Sequence, residues 1–158
     1  YAAGLLGLKK VRPVGQEGEI ACLRIGQLER PMSVRELAEL TAEKFQLPYV
    51  RFVDAGERNR GGAGSVKEVA LCTGSGMDFA DLAIKNGADV LITGDIGYHR
   101  ADEASLRGLS LIDASHFGTD RLSLEHLKET LGRELGKRAE PPVLLIAEEK
   151  ELFNFVSR

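Results

Sequence analysis

From residue 66 onward, apolar and polar positions recur in a regular order. Short apolar runs, VKEVALC (66–72), ADVLIT (88–93) and LSLIDA (109–114), alternate with segments of helical spacing. Those segments are GMDFADLAIKNG (76–87), GYHRADEASLRG (97–108) and TDRLSLEHLKETLGREL (119–135). The runs have the length of buried strands, and Gly87 and Gly108 stand where a helix stop is wanted. Upstream, EIACLRIGQL (19–28) predicts a strand closed by Pro31, SVRELAELTAEKFQL (33–47) a helix, and YVRFVD (49–54) a strand. Ser33 and Glu36 have the spacing of a capping box, and Val34, Leu37, Ala38, Leu40 and Phe45 form the apolar stripe of that helix.

Other stretches carry weaker patterns. AGERNRGGAG (55–64) has four glycines and no apolar anchor, so an exposed, mobile loop is expected. PVLLIAEE (142–149) predicts a last strand. Residues 1–18 are broken by Gly4, Gly7, Pro13, Gly15 and Gly18, which predicts no long element there. Strand–helix alternation implies an α/β fold with a mixed or mostly parallel sheet flanked by helices. The expected division is a single α/β domain over 19–158, with 1–18 an irregular remnant of a preceding half.

Composition narrows the function classes. The 158 residues are 43% hydrophobic and 28% charged, with no tryptophan, enough for one buried core. Twenty-one basic against 24 acidic residues give a net charge of −3, which supplies no broad electrostatic reason to bind nucleic acid. No apolar stretch reaches the roughly 20 residues of a membrane helix, so a soluble, cytoplasmic protein is expected. Cys22 and Cys72 lie in apolar runs at no metal-ligand spacing, as small buried hydrophobes in a reducing compartment would. The chain starts at Tyr1 without methionine or a signal-peptide pattern, as expected for a piece of something longer.

Parallel sheets bind ligands beyond the carboxyl ends of their strands. Three successive runs here end in polar loops: TGSGMD (73–78), TGDIGYH (93–99) and ASHFGTD (114–120). In the first, backbone N–H groups of Gly74, Ser75 and Gly76 can hold an anion, or the loop is a tight turn with Ser75 or Asp78 as a cap. In the second, Asp95 can cap the next helix, and His99 has the pKa range of a general acid/base. In the third, His116 and Asp120 are four apart and can meet one ion. An imidazole with a carboxylate suits zinc, iron or manganese. The bland alternative has Thr119 capping the last helix, Asp120 complementing its dipole, and His116 idle.

Together these stretches resemble the Ngg-one-interacting-factor-three-like family, dinuclear metal-centre proteins often described as GTP cyclohydrolase I type-two homologues. The resemblance is carried by RIGQLERPMSVRELAEL (24–40), KEVALCTGSGMDFADLAIKNGADVLITGDIGYHRADEA (67–104), LSLIDASHFGTD (109–120) and the tail NFVSR (154–158). It implies a fold of two α/β halves, of which this is the second. It implies a ring-shaped homo-oligomer, usually a hexamer, with two divalent metal ions between the halves. On that matching His116 and Asp120 are metal ligands, His99 lies near the site as a proton-transfer group, and Asp95 lies at its edge. Gly74, Ser75, Gly76 and Asp95 would hold an anionic group of a substrate. The implied activity is metal-dependent hydrolysis of a nucleotide-like or phosphorylated small molecule. The alternative is a non-catalytic interaction or ring-assembly module with a degenerate site. The family's His-His pair is missing here, aspartate stands at 120 in place of the usual glutamate, and serine stands at 115 in place of glycine. Weak or absent metal binding by this chain alone is the expectation that follows.

Overall fold

The computed structural model describes residues 1–15, 21–62 and 64–152. Among them six strands form one sheet in the order β1-β2-β4-β5-β6-β3. The strands are β1 (Lys9–Val14), β2 (Leu23–Ser33), β3 (Arg51–Val53), β4 (Ser65–Ser75), β5 (Val90–Gly94) and β6 (Ser110–Asp113). β4, β5 and β6 run parallel, as the alternation of runs and helices implies; the other three pairings are antiparallel. The mixed α/β sheet is therefore as expected.

Because successive strand residues face opposite sides, each central strand feeds two cores. Val69, Leu71, Val90, Ile92 and Ile112 pack beneath α1 (Ala2–Leu5), α2 (Val34–Lys44) and α6 (His116–Leu135). Ala70, Cys72, Leu91 and Leu111 pack on the other face, under α4 (Ala80–Lys85) and α5 (Tyr98–Leu106). Ser33 and Glu36 form the expected capping box of α2.

Several elements differ from the expectation. Residues 55–60 are helical where an open loop is expected. Asp54 caps a helix, α3 (Ala55–Arg60), and its carboxylate accepts N–H bonds from Gly56 at 2.8 Å, Glu57 at 3.0 Å and Gly64 at 3.0 Å. One buried acceptor thus ties down both ends of the segment. The first residues are not irregular either: α1 forms, and β1 joins the sheet. Pro13 is tolerated because β1 is an edge strand, where a missing N–H costs no ladder bond. Pro31 does not close β2, which continues to Ser33 through a register shift between Gln27 and Met32.

The expected helix 76–87 is split into a single 3-10 turn (Met77–Phe79) and α4. The expected strand 142–149 is absent. Leu144 and Ile146 instead line a cleft together with Leu124, Leu127 and Leu131 of α6. α6 begins three residues earlier than expected, so its cap is Ser115 and not Thr119. Cys72 is buried as expected, but Cys22 is exposed. Residues 19–20 of the first expected strand and the NFVSR tail lie outside the described residues. No helix among the described residues is long and apolar enough to cross a membrane.

Replacing Asp54 by alanine removes the acceptor for three N–H groups at once. We expect a loss of about 2 kcal/mol in denaturant unfolding and faster amide exchange at Gly64. Unchanged exchange at Gly64 would show that the segment is held by other means.

Candidate functional site

His116 sits between two carboxylates. Its Nδ1 is 2.6 Å from Oδ2 of Asp95, and its Nε2 is 3.2 Å from Oδ2 of Asp120. Asp120 lies one turn along α6, and Asp95 is the first residue past β5. All three side chains are about half exposed. Two of the three loops singled out in the sequence therefore meet at one imidazole.

A close backbone approach brings them together. A Cβ built on Gly94 would stand 2.5 Å from the His116 nitrogen and 2.6 Å from the Ser115 carbonyl carbon. Only glycine lets the end of β5 pass this near the turn between β6 and α6. The turn itself is strained. Asp95 and Ser115 both have φ of 56°, and Ser115 has ψ of 150°, a region that residues with a side chain avoid. Such conformations cost on the order of 1–3 kcal/mol each. Ser115 offsets part of that cost, since its Oγ accepts the Gly118 N–H at 2.8 Å and caps α6.

The third loop joins through two buried threonines. The Gly74 N–H donates to Thr119 Oγ1 at 2.8 Å, and that hydroxyl lies 2.9 Å from the Ser115 carbonyl oxygen. Thr93 Oγ1 accepts the Gly76 N–H at 2.8 Å and donates to the Gly74 carbonyl at 3.1 Å. The N–H groups of Gly74 and Gly76, expected to be free for an anion, are thus spent on fastening the loop. A short 3-10 turn follows in place of a helix start, and Ser75 is exposed. Gly74 has another consequence. A Cβ there would lie 3.3 Å from Asp120 Oδ1 and 3.4 Å from His116 Nε2. Its absence leaves room beside the two atoms that would bind a cation.

Those atoms fit a divalent ion in chemistry but not in number. Nδ1 is turned to Asp95, which leaves Nε2 and the Asp120 carboxylate as donors. Among the described residues no three histidine, cysteine, aspartate or glutamate side chains converge as a metal site requires. His99 is exposed at the start of α5, its ring edge-on to Tyr98, and the chain of contacts from Asp95 through His116 to Asp120 runs without it. His126 stacks on Tyr1 at a ring-centroid distance of 5.0 Å. Asp78 caps nothing and pairs with Arg100. A cavity of about 660 Å³, lined by Phe45, Leu47, Tyr49, Phe117 and Arg121, is bordered by neither His116 nor Asp120.

The electrostatics follow from the geometry. The hydrogen bond that His116 donates to Asp95 holds its pKa above the usual value, and the charge of Asp120 adds to this against partial desolvation. Burial pushes the Cys72 thiol up to about 11, which makes it unreactive near neutrality. The sequence reading passed over Asp113, which ends β6 and is 9% exposed. Its carboxylate accepts the Ser115 N–H at 3.2 Å and pairs with Arg51. The available signal was a lone acid closing an apolar run.

In metal-free protein, His116 should titrate above the usual histidine value of about 6.5, and Asp95→Asn should lower that midpoint. The attraction is present below the unfolded pKa and is lost as pH rises through the raised folded value. NMR titration of the ring reads both, and an unmoved midpoint in D95N would contradict the contact.

The sequence model of Duf34/NIF3 (NGG1p interacting factor 3) matches residues 1–151. A protein of Halalkalibacterium halodurans named "GTP cyclohydrolase 1 type 2 homolog" is 30% identical over 146 residues, 91% of this chain and 37% of that protein. A relative of the same name from Staphylococcus epidermidis is 34% identical over 124 residues, 78% of this chain and 32% of its own. The chain thus spans about a third of the length of these two relatives. Among solved structures, Staphylococcus aureus protein SA1388 superimposes with a TM-score of 0.74 at 28% identity, covering 86% of this chain and 37% of that one. Protein ybgI, described as of unknown function, gives 0.66 at 30% identity over 83% and 49% of the two chains. The family match spans nearly the whole chain and includes all three loops that build the site, so the chain belongs to the Duf34/NIF3 family.

Proposed function

We propose that this chain supplies one side of a metal-dependent hydrolytic site. The observation that carries the reading is the pairing of His116 Nε2 with the Asp120 carboxylate beside Gly74, with Nδ1 fixed by Asp95. A carboxylate on the far nitrogen of a ligating histidine is a common arrangement, because it sets the tautomer and raises the ring's basicity. In this reading His116 and Asp120 hold a divalent ion (zinc, iron or manganese), and further ligands come from outside these 158 residues. A complete site would hold two such ions.

When bound, such an ion supplies Lewis acidity toward a substrate oxygen and toward water. The chain's own residues do the rest. Asp95 keeps the proton of His116 on Nδ1, leaving Nε2 as a lone-pair donor. Ser75, the last residue of β4, and His99, in the first turn of α5, are both exposed, and in this reading His99 is the proton-transfer group. The relatives' name supports a nucleotide-like or phosphorylated small molecule as substrate. Self-assembly into a ring, with six copies, belongs to the same reading.

A second reading has its own observation. Both ring nitrogens of His116 already have carboxylate partners, and no third ligand converges among the described residues. A scaffold that kept the loops and lost the metal would look this way.

Elemental analysis separates the two. The natural gene product containing these residues should carry stoichiometric zinc, iron or manganese, and His116→Ala should lose most of it. His99→Ala should keep the metal and lower hydrolysis by about 10²–10⁴-fold. Metal content that is absent, or undiminished in H116A, would leave the scaffold reading.

A further inference from the structure

We propose that Asp113 is the positioning residue of this site, tying the loop that carries Asp95 to the loop that carries His116. It stands where three strands end in one row, opposite Thr93 of β5 and Arg51 of β3. Its two carboxylate oxygens serve different loops. Oδ1 accepts the N–H of Ser115, directly before His116. Oδ2 accepts the N–H of Ile96 at 3.4 Å, directly after Asp95, and pairs with the Arg51 guanidinium. Arg51 also donates to the Ile96 carbonyl at 3.3 Å. Ile96 is therefore gripped at both of its peptide groups by one ion pair.

The residues so held are the strained ones or their neighbours. Asp95 and Ser115 are two of the four non-glycine residues with positive φ among the described residues; Ser115 bonds to Asp113 itself, and Asp95 directly precedes Ile96, which does. Strained backbone persists only where its surroundings over-determine it. Releasing Asp113 would let both turns relax toward ordinary φ, and the 2.6 Å contact between Asp95 and His116 depends on both. An ion pair that merely stabilised the β3 edge would need only Arg51; the bonds to Ser115 and Ile96 serve the loops. The assignment deepens the metal-site reading, since it concerns the side chain which that reading makes a ligand.

The test uses the metal-free 158-residue chain at one fixed pH, so a failure of metal binding leaves it intact. The readouts are amide exchange at Ile96 and Ser115, and the low-field Nδ1 proton of His116 in ¹⁵N-resolved NMR spectra. Asp113→Asn should speed exchange at both amides by about tenfold and shift or abolish the Nδ1 signal. Leu37→Ala, in the core under α2, is the control. It should lower the melting temperature and leave the His116 signal in place. Arg51→Met, a milder change, should move the same signals in the same direction by a smaller amount. A folded D113N or R51M with the wild-type His116 signal would overturn the assignment, as would an equal shift in L37A.

Discussion

The end of β5 passes the turn between β6 and α6 so closely that no side chain fits between them. That approach at Gly94 is the constraint on which the site depends. It places the residue after Gly94 beside the residue after Ser115, and so makes Asp95 and His116 neighbours. It also forces the chain to leave both strands through uncommon backbone conformations. The parallel sheet supplies the common rim, but the contact at Gly94 turns two adjacent loops into one structure.

Holding that structure costs backbone strain, and the surrounding bonds offset it. Thr93 and Thr119 are fully buried, and both lock the Gly74 loop to its neighbours. Ser115 caps α6, its N–H donates to Asp113, and its carbonyl accepts from Thr119. Each such bond is worth about 1 kcal/mol net, the same order as the strain at each turn. The site is thus rigid around its backbone and open at its tip, where His116, Asp95 and Asp120 remain about half exposed. Rigid support with an accessible imidazole is what a ligand residue needs.

How much of this was readable in advance depends on the range of the interaction. The parallel strands, α2 with its capping box, and the rim loops were legible, because each rests on local periodicity or a short-range pair such as Ser33 and Glu36. His116 and Asp120 were legible as an i,i+4 pair, and the structure brings them together. The partnership of Asp95 with His116 was not, since it spans two strand ends and depends on Gly94. Which of the two readings of the TGSG loop its N–H groups favour was not legible for the same kind of reason: those of Gly74 and Gly76 bond to Thr119 and Thr93, far away in sequence. Helix α3 was hidden because its cap, Asp54, was assigned to a strand. The apolar run at 143–146 has strand character but forms no strand, and Leu144 and Ile146 share a cleft with side chains of α6. Periodicity reports which face is apolar, and it cannot report whether a strand edge is free.

In the proposed function, His116 faces a metal through Nε2 while Asp95 holds Nδ1. Anomalous diffraction from crystals of the natural gene product grown with zinc tests it most directly. A zinc peak is expected in contact with both Nε2 of His116 and the Asp120 carboxylate, with Asp95 still bonded to Nδ1. A peak at Nδ1 between His116 and Asp95, or zinc bound without His116, would contradict it.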